Sequence, residues 1–424
     1  MKKSSNRLTL YIFIAMVIGI STGYGVYKYY GTTSPTPQTF ADNVAIFTEI
    51  FLRLIKMIIA PLVFSTLVVG VAKLGDIKAV GRIGGKTMLW FISATFVSLF
   101  LGLLLVNILK PGLHLKLPLP DEHASTGIAK SSMTLKSFFE HVVPDSVINA
   151  MAHNEILQIV VFAIFFGVAA ASIGEKANPI VKLLDSVAHI MLKVTGFVMN
   201  FAPFAVFGAM AGIIAVKGLS VLKTYGLFIV EFYAGLLCLW IVIATVGYFI
   251  LGKPVFRLLA GIKDPLLLAF STASSEAAYP RTMEELERFG CDNRIVSFVL
   301  PLGYSFNLDG SMMYMTFASL FIAQAYGIPL SIDQQITMLL VLMITSKGIA
   351  GVPRASLVVI AGTLAMFHIP ETGLILLLAV DHLLDMGRSA TNVIGNAMAT
   401  AVVSKWENKL APEQQATKSN LTNV

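Results

Sequence analysis

What most constrains this chain is the length of its apolar runs. Leu8–Val26 has no charged residue and is about 19 residues long, close to the ~20 a helix needs to cross the hydrocarbon core of a bilayer. Of the 424 residues, 56% are hydrophobic and 13% charged, against roughly 25% charged in globular domains. So few charges cannot solvate a soluble surface of this size. A soluble enzyme, a disordered chain and a nucleic-acid binder are therefore excluded, and a polytopic membrane protein is expected. The net charge of +7 lies between apolar segments and reads as topology-setting charge, not a polyanion site. Cys238 and Cys291 imply neither a disulfide framework nor a thiolate metal site. Lys2, Lys3 and Arg7 precede the first run, which is longer than a usual signal-peptide core and reads as a retained first helix.

Further runs follow at Asp42–Ala72, Lys86–Leu109, Glu155–Ile173, Pro179–Val216 and Leu222–Leu251. Ser137 and Glu140 form a capping-box pattern in the long polar connection after residue 110. Basic clusters at Lys2/Lys3/Arg7, Lys73/Lys78/Arg82, Lys176/Lys182 and Lys253/Arg257/Lys263 alternate with less basic loops. That places both termini in the cytoplasm, with an even number of spans. The last third behaves differently. Val255–Phe289 is broken at Ser271–Glu276, and Ile336–Phe367 is broken at Ser346–Arg354. Each arm is too short to cross the membrane and reads as half of a re-entrant hairpin. Each broken stretch precedes a polar-bearing segment, Arg294–Tyr326 and Thr372–Trp406. Interrupted segments in matching positions point to a transporter site near the bilayer midplane.

The final segment carries Asp381, Asp385, Arg388, Asn392 and Asn396. At about 100° per residue these fall within roughly 80° of one another on a helix. Charges at membrane depth should face a cavity or one another. One reading is an ion-pair network that holds helices together, a role that suits Asp381. The other is a ligand site in which Arg388 forks onto a carboxylate, Asp385 accepts an ammonium and Asn392 assists. Such a trio describes an acidic amino acid. Ser305-Phe306-Asn307-Leu308-Asp309-Gly310 interrupts another apolar helix. Gly310 would permit unwinding, and Asn307 and Asp309 would offer hard oxygen ligands, with sodium possible there. A kinked helix with a hydrogen-bonded aspartate is the plainer alternative. Gly19-Ile20-Ser21-Thr22-Gly23 fits a nucleophile-elbow pattern, but in a continuous apolar run it reads as helix packing. The seven histidines have no metal-ligand spacing, no phosphate-binding loop is present, and no cofactor is expected.

These residues resemble the dicarboxylate/amino acid:cation symporter family. The resemblance rests on Leu54–Phe64, Asn200–Pro203, Ser271–Glu276, Asn307–Gly310, Ser346–Pro353 and Asp381–Asn396. It implies an all-α elevator-type glutamate transporter fold with eight transmembrane helices, two re-entrant hairpins and a homotrimer in the bacterial inner membrane. Residues 1–80 would hold scaffold helices one and two, 81–110 transport-domain helix three, and 111–218 scaffold helices four and five. Residues 219–408 would complete the transport domain, and 409–424 would form a cytoplasmic tail. By motif position, Arg388 would bind the substrate side-chain carboxylate and Asp385 its amino group. Asn392, Ser389, Ser274, Ser275 and the segment around Val352 and Pro353 would complete the substrate site. Having both Asp385 and Arg388 favours glutamate or aspartate over a C4-dicarboxylate. An anion channel would need a pore-lining ring instead of one stripe.

Ion coupling departs from the sodium-driven pattern of that family. Asn396 stands where a sodium-binding aspartate is usual, Phe91 and Ala94 replace oxygen-bearing residues, and only Thr95 is kept. Ser305, Asn307, Asp309 and Ser346 are the remaining cation-site candidates. Lys347 could stand in for a bound cation, and Met315 replaces the proton-carrying glutamate of animal relatives. Proton coupling is therefore expected, with Asp309, Asp385 or Glu276 as carrier.

Overall fold

The computed structural model describes residues 2–31, 34–74, 77–114, 142–218, 220–346, 355–378 and 380–411. The expectations placed on Ser137–Glu140, on Lys347, Val352, Pro353 and Arg354, and on the tail beyond residue 411 lie outside them. All named elements among the described residues are helical, as a bilayer requires of a chain that must satisfy its backbone internally.

The long apolar runs become α1 (Lys2–Tyr30), α2 (Thr36–Leu74), α3 (Ile77–Leu109) and, later, α7 (Ser220–Leu251). Between them lie α4 (Ile156–Ile173), α5 (Asn178–Val198) and α6 (Ala202–Lys217). The sequence suggested one element over Pro179–Val216. It is instead two helices joined by a 3-10 turn at Met199–Phe201, because Pro203 in the first turn of α6 has no N–H to continue the preceding ladder. Gly19 and Gly23 belong to α1 and press on α6. A Cβ at Gly23 would lie 2.5 Å from the Ala211 carbonyl oxygen. The glycine pair is thus a packing surface, not a nucleophile elbow. α1, α2, α4, α5 and α6 pack on one another as one group.

The second group is built around α14 (Asp381–Trp406). Before it come α8 (Lys263–Thr272), α9 (Ser275–Phe289), α10 (Asn293–Phe306), α11 (Asp309–Ala325), α12 (Ile332–Thr345) and α13 (Ala355–Met366). The helices α7 to α11 all pack against α14, and Gly387–Ser404 is buried throughout. α8 and α9 turn back on each other where Ala273 takes a left-handed conformation (φ 50°) and Ser274 caps α9. At 10 and 15 residues these arms are about 15 and 23 Å long, short of the ~30 Å core. Ser331 and Gln334 form a capping box that starts α12.

By length and apolarity, five segments are able to cross a membrane among the described residues: Leu10–Tyr30, Thr36–Ala72, Lys78–Leu113, Ile156–Lys217 and Tyr225–Leu251. The chain is a multi-pass membrane protein.

Candidate substrate and cation site

The helical ladder stops at Phe306 and resumes at Asp309, leaving Asn307 (φ −123°, ψ 62°) and Leu308 (φ −95°, ψ 65°) outside it. This is the break that the sequence suggested, but Gly310 serves it differently than expected. Gly310 is already helical, and its lack of a side chain lets α11 touch α14. A Cβ there would lie 2.5 Å from the Arg388 carbonyl oxygen. Its N–H donates to Asn392 Oδ1 at 2.9 Å.

The polar stripe on α14 comes together as the helical spacing predicted. Arg388 Nη2 lies 2.8 Å from Asp385 Oδ1 and 3.3 Å from Asp381 Oδ1. Tyr314 on α11 donates its hydroxyl to Asp381 Oδ1 at 3.2 Å. The ion-pair network that the sequence offered as one reading is therefore present around Asp381. Asp381 is closed into a network, whereas Asp385 keeps 38% of its side chain exposed beside a guanidinium that keeps 3%. Arg388 Nε and Nη1 have no hydrogen-bond partner among the described residues. A buried guanidinium with two open donors, next to an open carboxylate, suits a ligand carrying both charges. Asn392 also donates to Ser311 Oγ at 3.4 Å, and Ser389 is buried beside Arg388.

One helical turn further along α14 lies a second polar cluster. Asn307 Nδ2 donates to Asp309 Oδ2 at 3.0 Å and to Asn396 Oδ1 at 3.2 Å. Ser98 on α3 donates to Asp309 Oδ1 at 3.3 Å. Thr95 and Ser305 are buried. Asn307 Oδ1 and Ser305 Oγ have no hydrogen-bond partner among the described residues. The cluster is built around close glycines, since a Cβ at Gly395 would collide with Asp309 Oδ2. Among the described residues no group of three or more His, Cys, Asp or Glu could bind a metal ion. A single carboxylate with hydroxyls and amides suits one proton or one monovalent cation.

Glu276 does not join this cluster. It lines a small cavity with Ile59, Val63, Ile156, Tyr279, Pro301 and Tyr304, facing α2 and α4. The Ser274 hydroxyl accepts the Ala277 N–H at 3.3 Å, so it is engaged as a cap, and Ser275 opens α9. Ser346 is buried at the end of α12. Met315 is buried in α11. Sequence reasoning missed Ser98, Ser311 and Tyr314. Ser98 lies three residues after Thr95 and so shares its helix face. Tyr314 stands one turn beyond Gly310, a spacing that could have pointed to it.

Residues 8–406 match the sodium:dicarboxylate symporter family. The chain belongs to that family. It is 40% identical over 410 residues to the proton/sodium-glutamate symport protein of Bacillus caldotenax, covering 95% of each chain. It is also 40% identical over 416 residues to the C4-dicarboxylate transport protein of Citrifermentans bemidjiense, covering 96% of this chain and 92% of that one. Bacillus subtilis has a proton/sodium-glutamate symport protein 39% identical over 422 residues, covering 98% of this chain and 96% of its own. These names describe transporters and not enzymes, in keeping with a buried polar site that holds charge partners and a broken helix.

Proposed function

We propose that this member of the sodium:dicarboxylate symporter family imports glutamate or aspartate together with protons. The observation that carries the reading is the half-exposed Asp385 carboxylate beside the buried Arg388 guanidinium. A substrate side-chain carboxylate would take the open Nε and Nη1 edge of Arg388. The substrate ammonium would sit on Asp385, and its α-carboxylate on Asn392 with the serines at the start of α9. A C4-dicarboxylate would bring two negative charges to the same place and meet Asp385 with like charge. That second reading is kept in view by relatives of equal similarity named as C4-dicarboxylate transport proteins.

Proton coupling is supported by the single carboxylate, Asp309, among neutral amides and hydroxyls, with Asn396 in place of a second acid. The two helix groups would divide into scaffold (α1, α2, α4, α5 and α6) and moving body (α3 and α7 to α14). The moving body would slide as an elevator within each protomer of a homotrimer.

The test is radiolabelled glutamate, aspartate and succinate uptake into proteoliposomes, with sodium and pH gradients imposed separately. Aspartate uptake driven by an inward proton gradient without sodium is expected. Asp385→Ser should abolish aspartate uptake and spare succinate binding. Uptake that requires sodium and ignores pH would overturn the coupling, and unchanged aspartate uptake by Asp385→Ser would overturn the substrate.

A further inference from the structure

The α14 turn that carries Arg388 is gripped from two sides. On one side Gly310 of α11 meets the Arg388 backbone and Thr391, where a Cβ would lie 2.5 and 2.8 Å from them. On the other side stands α7. A Cβ at Gly387 would lie 2.6 Å from Leu236 Cδ1 and 3.0 Å from Tyr233 Cε1. Tyr233 donates its hydroxyl to the Leu383 carbonyl at 2.6 Å, and Trp240 donates its indole N–H to Thr391 Oγ1 at 2.8 Å. The Thr391 hydroxyl in turn donates to the Gly387 carbonyl at 2.8 Å.

Thr391 is fully buried and Trp240 half-buried. In hydrocarbon an indole N–H has no water to turn to, so losing Thr391 would leave it unpaired. An apolar helix contact permits small rotations, whereas a directional hydrogen bond does not. A guanidinium stands about 6 Å from its helix axis, so a rotation of about 10° displaces it by ~1 Å, enough to impair a forked carboxylate contact.

We infer that Trp240 and Thr391 are positioning residues: their hydrogen bond fixes the rotation of α14 and thereby the aim of Arg388 and Asn392 at the substrate. Neither side chain touches substrate in this scheme. The inference rests on the reading of the α14 stripe as the substrate site.

The test measures KM and maximal rate of radiolabelled aspartate uptake in proteoliposomes for Trp240→Phe, Thr391→Val, Thr391→Ser and Arg388→Ala. Trp240→Phe and Thr391→Val should each raise KM about three- to tenfold, with the maximal rate kept within about twofold. Thr391→Ser retains the acceptor and should keep the parental KM. A KM unchanged in both Trp240→Phe and Thr391→Val, or a lost maximal rate with unchanged KM, overturns the inference. So does a Thr391→Ser variant as impaired as Thr391→Val. The control separates the two claims. Uptake that survives Arg388→Ala with parental KM overturns the substrate site itself, whereas loss of uptake in Arg388→Ala with no effect of Trp240→Phe and Thr391→Val overturns only the positioning role.

Discussion

Arg388 sits over the Tyr314 ring, with its Cζ 4.1 Å from the ring centroid. The same tyrosine holds Asp381, which holds Arg388. The guanidinium is thus fixed on one face by a π surface and at Nη2 by two carboxylates, which keeps its remaining edge in one orientation. Tyr314→Phe keeps the stack and loses the hydroxyl, and should raise the KM for aspartate uptake a few-fold. Tyr314→Leu also loses the stack, worth about 0.5–2 kcal/mol, and should raise KM by roughly tenfold or more. Concentration-dependent uptake distinguishes the two.

Arg388→Lys retains charge but not the fork. A point-charge ammonium cannot meet a carboxylate with two parallel donors while also satisfying Asp381 and Asp385. Uptake efficiency, measured as maximal rate over KM, should fall by about a hundredfold or more. Isothermal binding in detergent should show the same loss without transport.

Among the described residues Asp309 is the one carboxylate of the second cluster, where it accepts from Ser98 and Asn307. Asp309→Asn would remove the proposed site of proton uptake while keeping size and hydrogen-bonding capacity. Net uptake driven by a pH gradient should be lost. Any residual exchange between labelled and unlabelled substrate should become independent of pH between about 5 and 8. Counterflow assays at several pH values check this.

Gly395→Ala should be more disruptive than its size suggests. The added methyl would overlap Asp309 Oδ2 and lie 3.3 Å from Asn307 Nδ2. Both groups are buried and hydrogen-bonded, so they cannot swing away without losing partners. The expected outcome is loss of proton-driven uptake with a lowered melting temperature in detergent. Gly85→Ala, where nothing lies within 4 Å, should be neutral in both assays.

The end of α14 is held by charge. Glu407 receives Arg82 Nη2 at 2.8 Å and Lys86 Nζ at 2.7 Å, and Lys86 also caps the Trp406 carbonyl at 2.8 Å. The hydrogen bonds from Arg82, and then those from Lys86, hold the Glu407 carboxyl below its usual range. A depressed acid stabilises the folded state above its unfolded pKa, and that contribution disappears as pH falls through the folded value. Glu407→Gln should therefore melt lower than the parent at pH 7. The gap should close as pH is taken from about 5 down to 3, in thermal unfolding of the detergent-solubilised protein.

Much of the site was legible because it obeys helical arithmetic. Asp381, Asp385 and Arg388 are neighbours on one helix, and their spacing alone puts their charges together. The interruption at Asn307–Gly310 was legible from small and polar residues in an apolar run. Contacts between elements far apart in sequence were not legible. Ser98 reaches Asp309 from α3, and Trp240 reaches Thr391 from α7, across 211 and 151 residues of chain. Glu276 illustrates the converse. The sequence offered it as a candidate proton carrier but did not show that it faces α2 and α4, away from the Asp309 cluster.

The sequence by itself determined that the chain lives in a membrane, that its last third is broken at Ser271–Glu276, and which residues share the α14 stripe. These follow from local rules: hydropathy over about 20 residues and a repeat of 3.6 per turn. Only the tertiary structure decided which of the intramembrane carboxylates is closed and which is open. Asp381 is closed by Tyr314 from another helix, while Asp385, one turn away on the same stripe, keeps part of its surface free. Side-chain burial depends on what the neighbouring helices bring, and helix packing is not written in the periodicity of any one of them.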